Sequence, residues 1–296
     1  MLRYILLCIA LTCLLFAGSG VVANDKKLDP IQVGGSLGSL NDRSITDAEI
    51  AFQVVFNELL SEVNESFNLK IYENQNQLFN KFKQGTIQAI LTSSLNFIEL
   101  ENLIHPTARY SVQFGDELKQ NYLVLVRRDD NMTHLSQLRN KILSLGESHQ
   151  VGKLFLDVEL LKQELPVSDI FFKEIHRVKG DNTSIIDLYF GKIDAAVVPK
   201  YNYIIAQSLN PQIKNRMEIL TESEPMIHQA VGIRHDFSQK RIDNFEPSIL
   251  TDKPSRRLKY VLDTFGIVRL HKINKETLNE VRSLQREYTR LVGHKR

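Results

Sequence analysis

Residues Ile185–Tyr203, IIDLYFGKIDAAVVPKYNY, read as the tail of an apolar helix, a glycine stop, a short buried strand and a turn into a new helix. Gly191, just past Phe190, suits a helix end, where the left-handed conformation carries no Cβ penalty for glycine. Ile193–Val198 is apolar apart from Asp194, and its length is that of a buried strand rather than a helix. Pro199-Lys200-Tyr201 then turns the chain off the sheet. The same phrase stands earlier, at Leu78–Phe97, LFNKFKQGTIQAILTSSLNF. With Gly85 laid on Gly191, Ile87 falls on Ile193, Ala89 on Ala195, Leu91 on Val197, Asn96 on Asn202 and Phe97 on Tyr203. Two copies of helix, glycine, strand, turn and helix predict two similar α/β lobes. A generic likeness between any two βα units is the competing reading.

The chain has 296 residues, 43% of them hydrophobic and 24% charged, which suffices for two domains with ordinary cores. Its formal charge is +2 without a long basic run, so no nucleic-acid partner is expected. Met1–Tyr4 is a short positive start, Ile5–Phe16 an apolar core, and Ala17–Ala23 a run of small residues before Asn24-Asp25-Lys26. This order predicts a cleavable secretory signal over 1–23, cut after Ala23, with an uncleaved anchor as the alternative. The apolar stretch is short for a membrane span. Both cysteines, Cys8 and Cys13, lie inside it. Thr12 stands where a lipid-attachment box has Gly or Ala, and the apolar run continues past Cys13. The expected product is therefore exported, periplasmic and free of disulfides, held by its core alone.

Along the rest of the chain, Ile31–Val33 predicts a strand and Gly34–Gly38 a loop. A helix follows, opened by the capping box Thr46-Asp-Ala-Glu49 with an Ile45/Ile50 staple, and buried through Ala51, Val54, Val55, Leu59 and Val63. Further strands are expected at Phe67–Ile71, Tyr110–Phe114, Tyr122–Val126, Lys141–Leu145, Asp169–Val178, Met217–Leu220 and His228–Ile233. Helices are expected at Thr133–Leu138, Val151–Leu165, Arg256–Phe265 and from Asn274 to Val292. Alternating strands and helices imply a mostly parallel, doubly wound sheet in each lobe.

Four segments, KFKQGTIQAILTSS, NYLVLVRRDD, THLSQLRNKILSLGESH and DNTSIIDLYFGKIDAAVV, follow the signal in an order that resembles the PhnD-like substrate-binding proteins. These serve phosphate, phosphite and phosphonate ABC transporters and belong to the type 2 periplasmic binding proteins. The resemblance covers roughly residues 31–237. It implies a two-lobed fold, with lobe one from 24–115 plus 234–296 and lobe two from 116–233, closing on a small anionic ligand. The implied partner is an ABC permease, or a membrane sensor protein if the module reports ligand instead of delivering it. A monomer without cofactor or metal is expected.

Helix N-termini bind anions through free N–H groups and the positive end of the dipole. Thr92, Ser93 and Ser94 sit at such a turn in lobe one, where plain capping is the competing role. The matching lobe-two turn holds Ser148, His149 and Gln150; the family has small residues beside the serine, so His149 and Gln150 depart from its pattern. Asp181 and Asn182 precede the helix of the second copy, where the resembled family often places a polar pair that reaches the ligand; Asp181 as a plain cap is the alternative. Tyr122 and Tyr201 are candidate pocket walls, or core. A serine-hydrolase reading needs Gly-x-Ser-x-Gly, and Gln150 occupies its last position. No zinc-protease helix or P-loop motif occurs, so binding without catalysis is the expectation.

Overall fold

The computed structural model describes residues 28–36, 45–147 and 149–293, without the side chains of Ile45 and Ala48. The signal segment, the Ile45/Ile50 staple, residues 37–38 of the expected loop and Ser148 lie wholly or partly outside them, and Gly34, Gly35 and Ser36 continue the first strand instead of forming a loop.

In chain order the elements are β1 (Ile31–Ser36), α1 (Ile45–Ser61), β2 (Phe67–Tyr72), α2 (Gln75–Lys83), β3 (Ala89–Ser93), α3 (Ser94–Glu99) and β4 (Ile104–Phe114). Next come β5 (Tyr122–Arg127), β6 (Ile142–Gly146), α4 (Gln150–Lys162), α5 (Ser168–Phe171), β7 (Glu174–Val178), α6 (Asp181–Tyr189), β8 (Ala195–Pro199), α7 (Lys200–Leu209), α8 (Gln212–Arg216) and β9 (Met217–Glu222). The last are β10 (Gln229–Arg234), α9 (Gln239–Ile249), α10 (Arg256–Thr264), β11 (Ile267–Lys272) and α11 (Asn279–Gly293).

Two mixed sheets result, in the orders β11-β4-β10-β3-β1-β2 and β7-β6-β8-β5-β9. Each holds three adjacent parallel strands followed by an antiparallel one, β10 in the first and β5 in the second. These insertions make the sheets mixed where the strand–helix alternation suggested mostly parallel ones. The chain crosses between lobes twice, after β4 and after β9. The crossings are tied together at Gln120 and Met226, which exchange both backbone bonds at 2.9 and 3.0 Å.

The two copies occupy the same place in each sheet. Gly85 and Gly191 both have left-handed backbones, at φ of 75° and 74°. Gln88 accepts the backbone N–H of Gln32 through its side chain, as Asp194 accepts that of Ile142. An arginine from the antiparallel strand finishes each copy's helix. Arg234 donates to the carbonyls of Phe82 and Lys83, while Arg127 donates to those of Leu188 and Ile193. Both positive charges thus sit at the negative end of a helix dipole.

The edges of the sheets are managed differently. Along β2, the N–H groups of Phe67, Leu69 and Ile71 are taken by Asn57, Gln53 and Glu49 of α1. That four-residue spacing lays one helical stripe along the open strand edge. The adjoining face of α1 packs Val55, Phe56 and Leu60 inward, and Val54 is exposed, not buried as its apolar character suggested. β7, the outer strand of the other sheet, instead carries charge, with Glu174 paired to His176.

Several boundaries differ from expectation. Asp169–Val178 is not one strand: the Ser168 N–H donates to Asp157, starting the helical turn α5 before β7. Thr133–Leu138 is only a 3-10 turn at Leu135–Leu138, and β4 begins at Ile104. α9 and β11 had no clear periodicity to announce them. The last helix starts at Asn279, after a 3-10 turn. It packs along α4 of the other sheet with Val281 buried in that core, while Arg282 holds Glu101.

Candidate functional site

Between the lobes lies a small cavity of about 30 Å³, lined by Phe114, Gln120, Tyr122, His149, Asp181, Pro199, Tyr201, Asn202, His228 and Gln229. That volume suits water-sized contents. The strand ends of the second sheet and the crossing segments bring these side chains together, the usual position for ligand sites in open α/β sheets.

Three lobe-two residues form a chain. The His149 ring rests on Gly146, in the space a Cβ there would need. Its Nε2 is 3.0 Å from Oδ2 of Asp181, and its Nδ1 is 3.0 Å from the Tyr122 hydroxyl. A carboxylate has no hydrogen to offer, so Nε2–H donates to Asp181; in the neutral ring, Nδ1 then accepts from Tyr122. Burial, with the Asp181 carboxylate nearby, pushes the Tyr122 phenol well above its ordinary range.

His228 completes the wall from the return crossing. Its ring stacks on Tyr122 with centroids 4.1 Å apart, and its Nε2–H donates to the Gln120 carbonyl at 3.1 Å. Burial and the neighbouring His149 push its imidazole down to about 3, against the backbone bond to Gln120. It is therefore a neutral ring at physiological pH. Tyr201 lays its ring against Gly115 and close to Gly266, both at left-handed φ, so a lobe-two side chain fits where lobe one lacks Cβ atoms.

The helix starts beside the cleft differ between the lobes. α2 is capped by Asn74 and α3 by Ser93. By contrast, α4, α6 and α7 begin at His149, Gly180 and Pro199 without a side-chain cap among the described residues. Those three starts surround the cavity.

Of the residues singled out from sequence, Tyr122, His149, Asp181 and Tyr201 line the cavity. Thr92, Ser93 and Ser94 do not. Thr92 is buried and accepts from Asn96, Ser93 caps α3, and Ser94 donates to the Ile227 carbonyl at 2.6 Å. Gln150 bridges the lobes beside the cavity, donating to Gln75 at 2.7 Å. Asn182 is exposed. Gln120, Asn202 and His228 escaped the sequence reading; a polar Gln-Asn-Tyr run before one crossing strand and a lone His before the other were the available signals. Among the described residues, no acidic, His or Cys cluster suits a metal ion, and no helix is long and apolar enough to cross a membrane.

No curated relative matches the chain in sequence. Among solved structures, PhnD1 from Prochlorococcus marinus in complex with methylphosphonate is 15% identical, with a TM-score of 0.66 over 88% of this chain and 98% of that one. A binding protein component of an ABC phosphonate transporter from Pseudomonas aeruginosa is 10% identical, with a TM-score of 0.68 over 89% and 88% of the two chains. The aliphatic sulphonate binding protein SsuA from Escherichia coli is 12% identical, with a TM-score of 0.53 over 90% and 94%. These likenesses establish the two-lobed fold. The family model described as "ABC transporter, phosphonate, periplasmic substrate-binding protein" matches residues 38–278. The chain therefore belongs to the phosphonate periplasmic substrate-binding proteins of ABC transporters, which capture a small molecule for uptake.

Proposed function

We propose that this protein binds a small oxyanion of the phosphonate class in the cavity between its lobes and hands it to an ABC permease. The observation that carries this reading is the convergence of the α4, α6 and α7 starts, free of side-chain caps among the described residues, on one cavity. Backbone N–H groups so arranged favour negative charge without a lysine or arginine. Tyr122, His149, His228 and Tyr201 supply the aromatic walls and polar tips that orient a ligand. Entry parts the lobes and closure seals them over the ligand, the hinge transition of two-lobed binding proteins. The chain acts as a monomer, with lobe one from 24–115 plus 234–296 and lobe two from 116–233. It reaches the periplasm through the 1–23 signal and performs no chemistry on its ligand.

Thermal unfolding with methylphosphonate, phosphite and phosphate tests the reading. A ligand at a hundred times its Kd stabilises by about 2.7 kcal/mol, a clear rise in Tm. A Tm unmoved by all three at millimolar concentration overturns it.

A further inference from the structure

The cavity contains an acceptor among its donors. Asp181 is 3% exposed and stands in the first turn of α6. Its Oδ2 takes the His149 N–H, whereas Oδ1 lies 2.9 Å from the same nitrogen but has no hydrogen-bond donor aligned on it among the described residues. Three of the neighbouring groups are already committed. The Tyr122 hydroxyl meets His149, the His228 Nε2–H goes to the Gln120 carbonyl, and the Gln120 amide donates to the carbonyls of Phe114 and Glu117. A buried carboxylate oxygen left without a donor is costly, and it offers only lone pairs.

Taking the phosphonate-class reading as its basis, we propose that Asp181 sets specificity by requiring a ligand that brings its own O–H or N–H donor to Oδ1. A monoprotonated phosphonate satisfies it. A sulfonate loses its only proton in strong acid and presents three bare oxygens at neutral pH, so it meets Asp181 lone pair against lone pair. The two ligands share shape and tetrahedral geometry, and the proton is the difference the pocket reads. Discrimination by leaving a buried polar group unpaired is stronger than discrimination by size.

Isothermal titration of the full protein with methylphosphonate and methanesulfonate at one pH near neutrality tests this. The expected result is a preference for methylphosphonate of at least about 100-fold. In Asp181→Asn the carboxamide supplies an N–H in place of a lone pair, and the preference narrows to within about tenfold. A wild-type preference below about tenfold, or one unchanged by the substitution, overturns the proposal while the oxyanion reading stands. Failure of both compounds, and of phosphite and phosphate, removes that reading and this one together. Should Asp181→Asn not fold, the wild-type ratio measured at rising pH decides. It falls as methylphosphonate becomes a dianion, whereas a change in the protein alone acts on both ligands and largely cancels from it. A ratio independent of pH overturns the proposal.

Discussion

The lobes share a frame and differ in what they mount on it. Gly85 and Gly191 adopt the same left-handed turn. Gln88 and Asp194 each receive an N–H from the start of a neighbouring strand, and Arg234 and Arg127 close the corresponding helices α2 and α6. At the opposite ends of the strands the likeness stops. Lobe one caps α2 and α3 with its own side chains, whereas the α4, α6 and α7 starts of lobe two face the cavity without them. Gln75 opens α2 where Asp181 opens α6. A repeated unit can therefore keep its framework at one end of the strands while the helix starts at the other end diverge.

The largest expected effect bears on the seam between them. His228 in the folded chain takes up a proton only near pH 3, whereas an ordinary histidine does so near 6.5. Between those values the unfolded chain holds more protons, so acid favours unfolding. Its contribution is fully present above pH 6.5 and is lost as pH falls toward 3, with a slope of about 1.4 kcal/mol per pH unit. His228→Phe keeps the stack on Tyr122 and removes the titration. Urea unfolding from pH 7 to 4 should show a shallower acid loss in the variant; parallel curves would place the acid sensitivity elsewhere.

Second in size are the paired arginines. Arg234→Ala removes a buried cation bound to two carbonyls and to Asp236, an expected loss of about 3 kcal/mol. Arg127→Ala removes the equivalent group from a more open site beside Asp130 and Asp194, with an expected loss of about 2 kcal/mol. Denaturation midpoints measure both. Losses under 0.5 kcal/mol at either position (~ the scatter of surface substitutions) would break the equivalence. Smaller again, Gly85→Ala and Gly191→Ala each force a side chain into the left-handed region at about 1–2 kcal/mol. The two losses should agree closely, because the backbones do.

What could be read from the chain follows from the range of each interaction. The copies were legible because their glycines and apolar runs act locally. Tyr122, His149, Asp181 and Tyr201 stand out as polar groups where strands begin or turn into helices, and the structure gathers them. The roles of Thr92, Ser93 and Ser94 were not legible. What keeps Ser94 from the cavity is a carbonyl at Ile227, far along the chain. His228 and Gln120 meet only because two crossings run side by side. Likewise, Glu49, Gln53 and Asn57 look like a solvated helix face until β2 is laid against them.

The smallest expected effect tests how the halves are held together. Gln150, first residue of α4, donates to Gln75 at the start of α2, and the Ser93 hydroxyl approaches its Oε1 at 3.4 Å. These bonds span the cleft and exist only when it is shut. A bond of this kind contributes about 1 kcal/mol, enough to move an open–closed equilibrium roughly fivefold while leaving each lobe's core untouched. Gln150→Ala should therefore raise the radius of gyration of the unliganded protein in small-angle scattering without a matching fall in Tm. An unchanged scattering profile would mean that the contacts of α11 on α4 and of Tyr201 on Gly115 hold the cleft shut without Gln150, which would assign closure to packing and leave the polar residues of the cleft to the ligand.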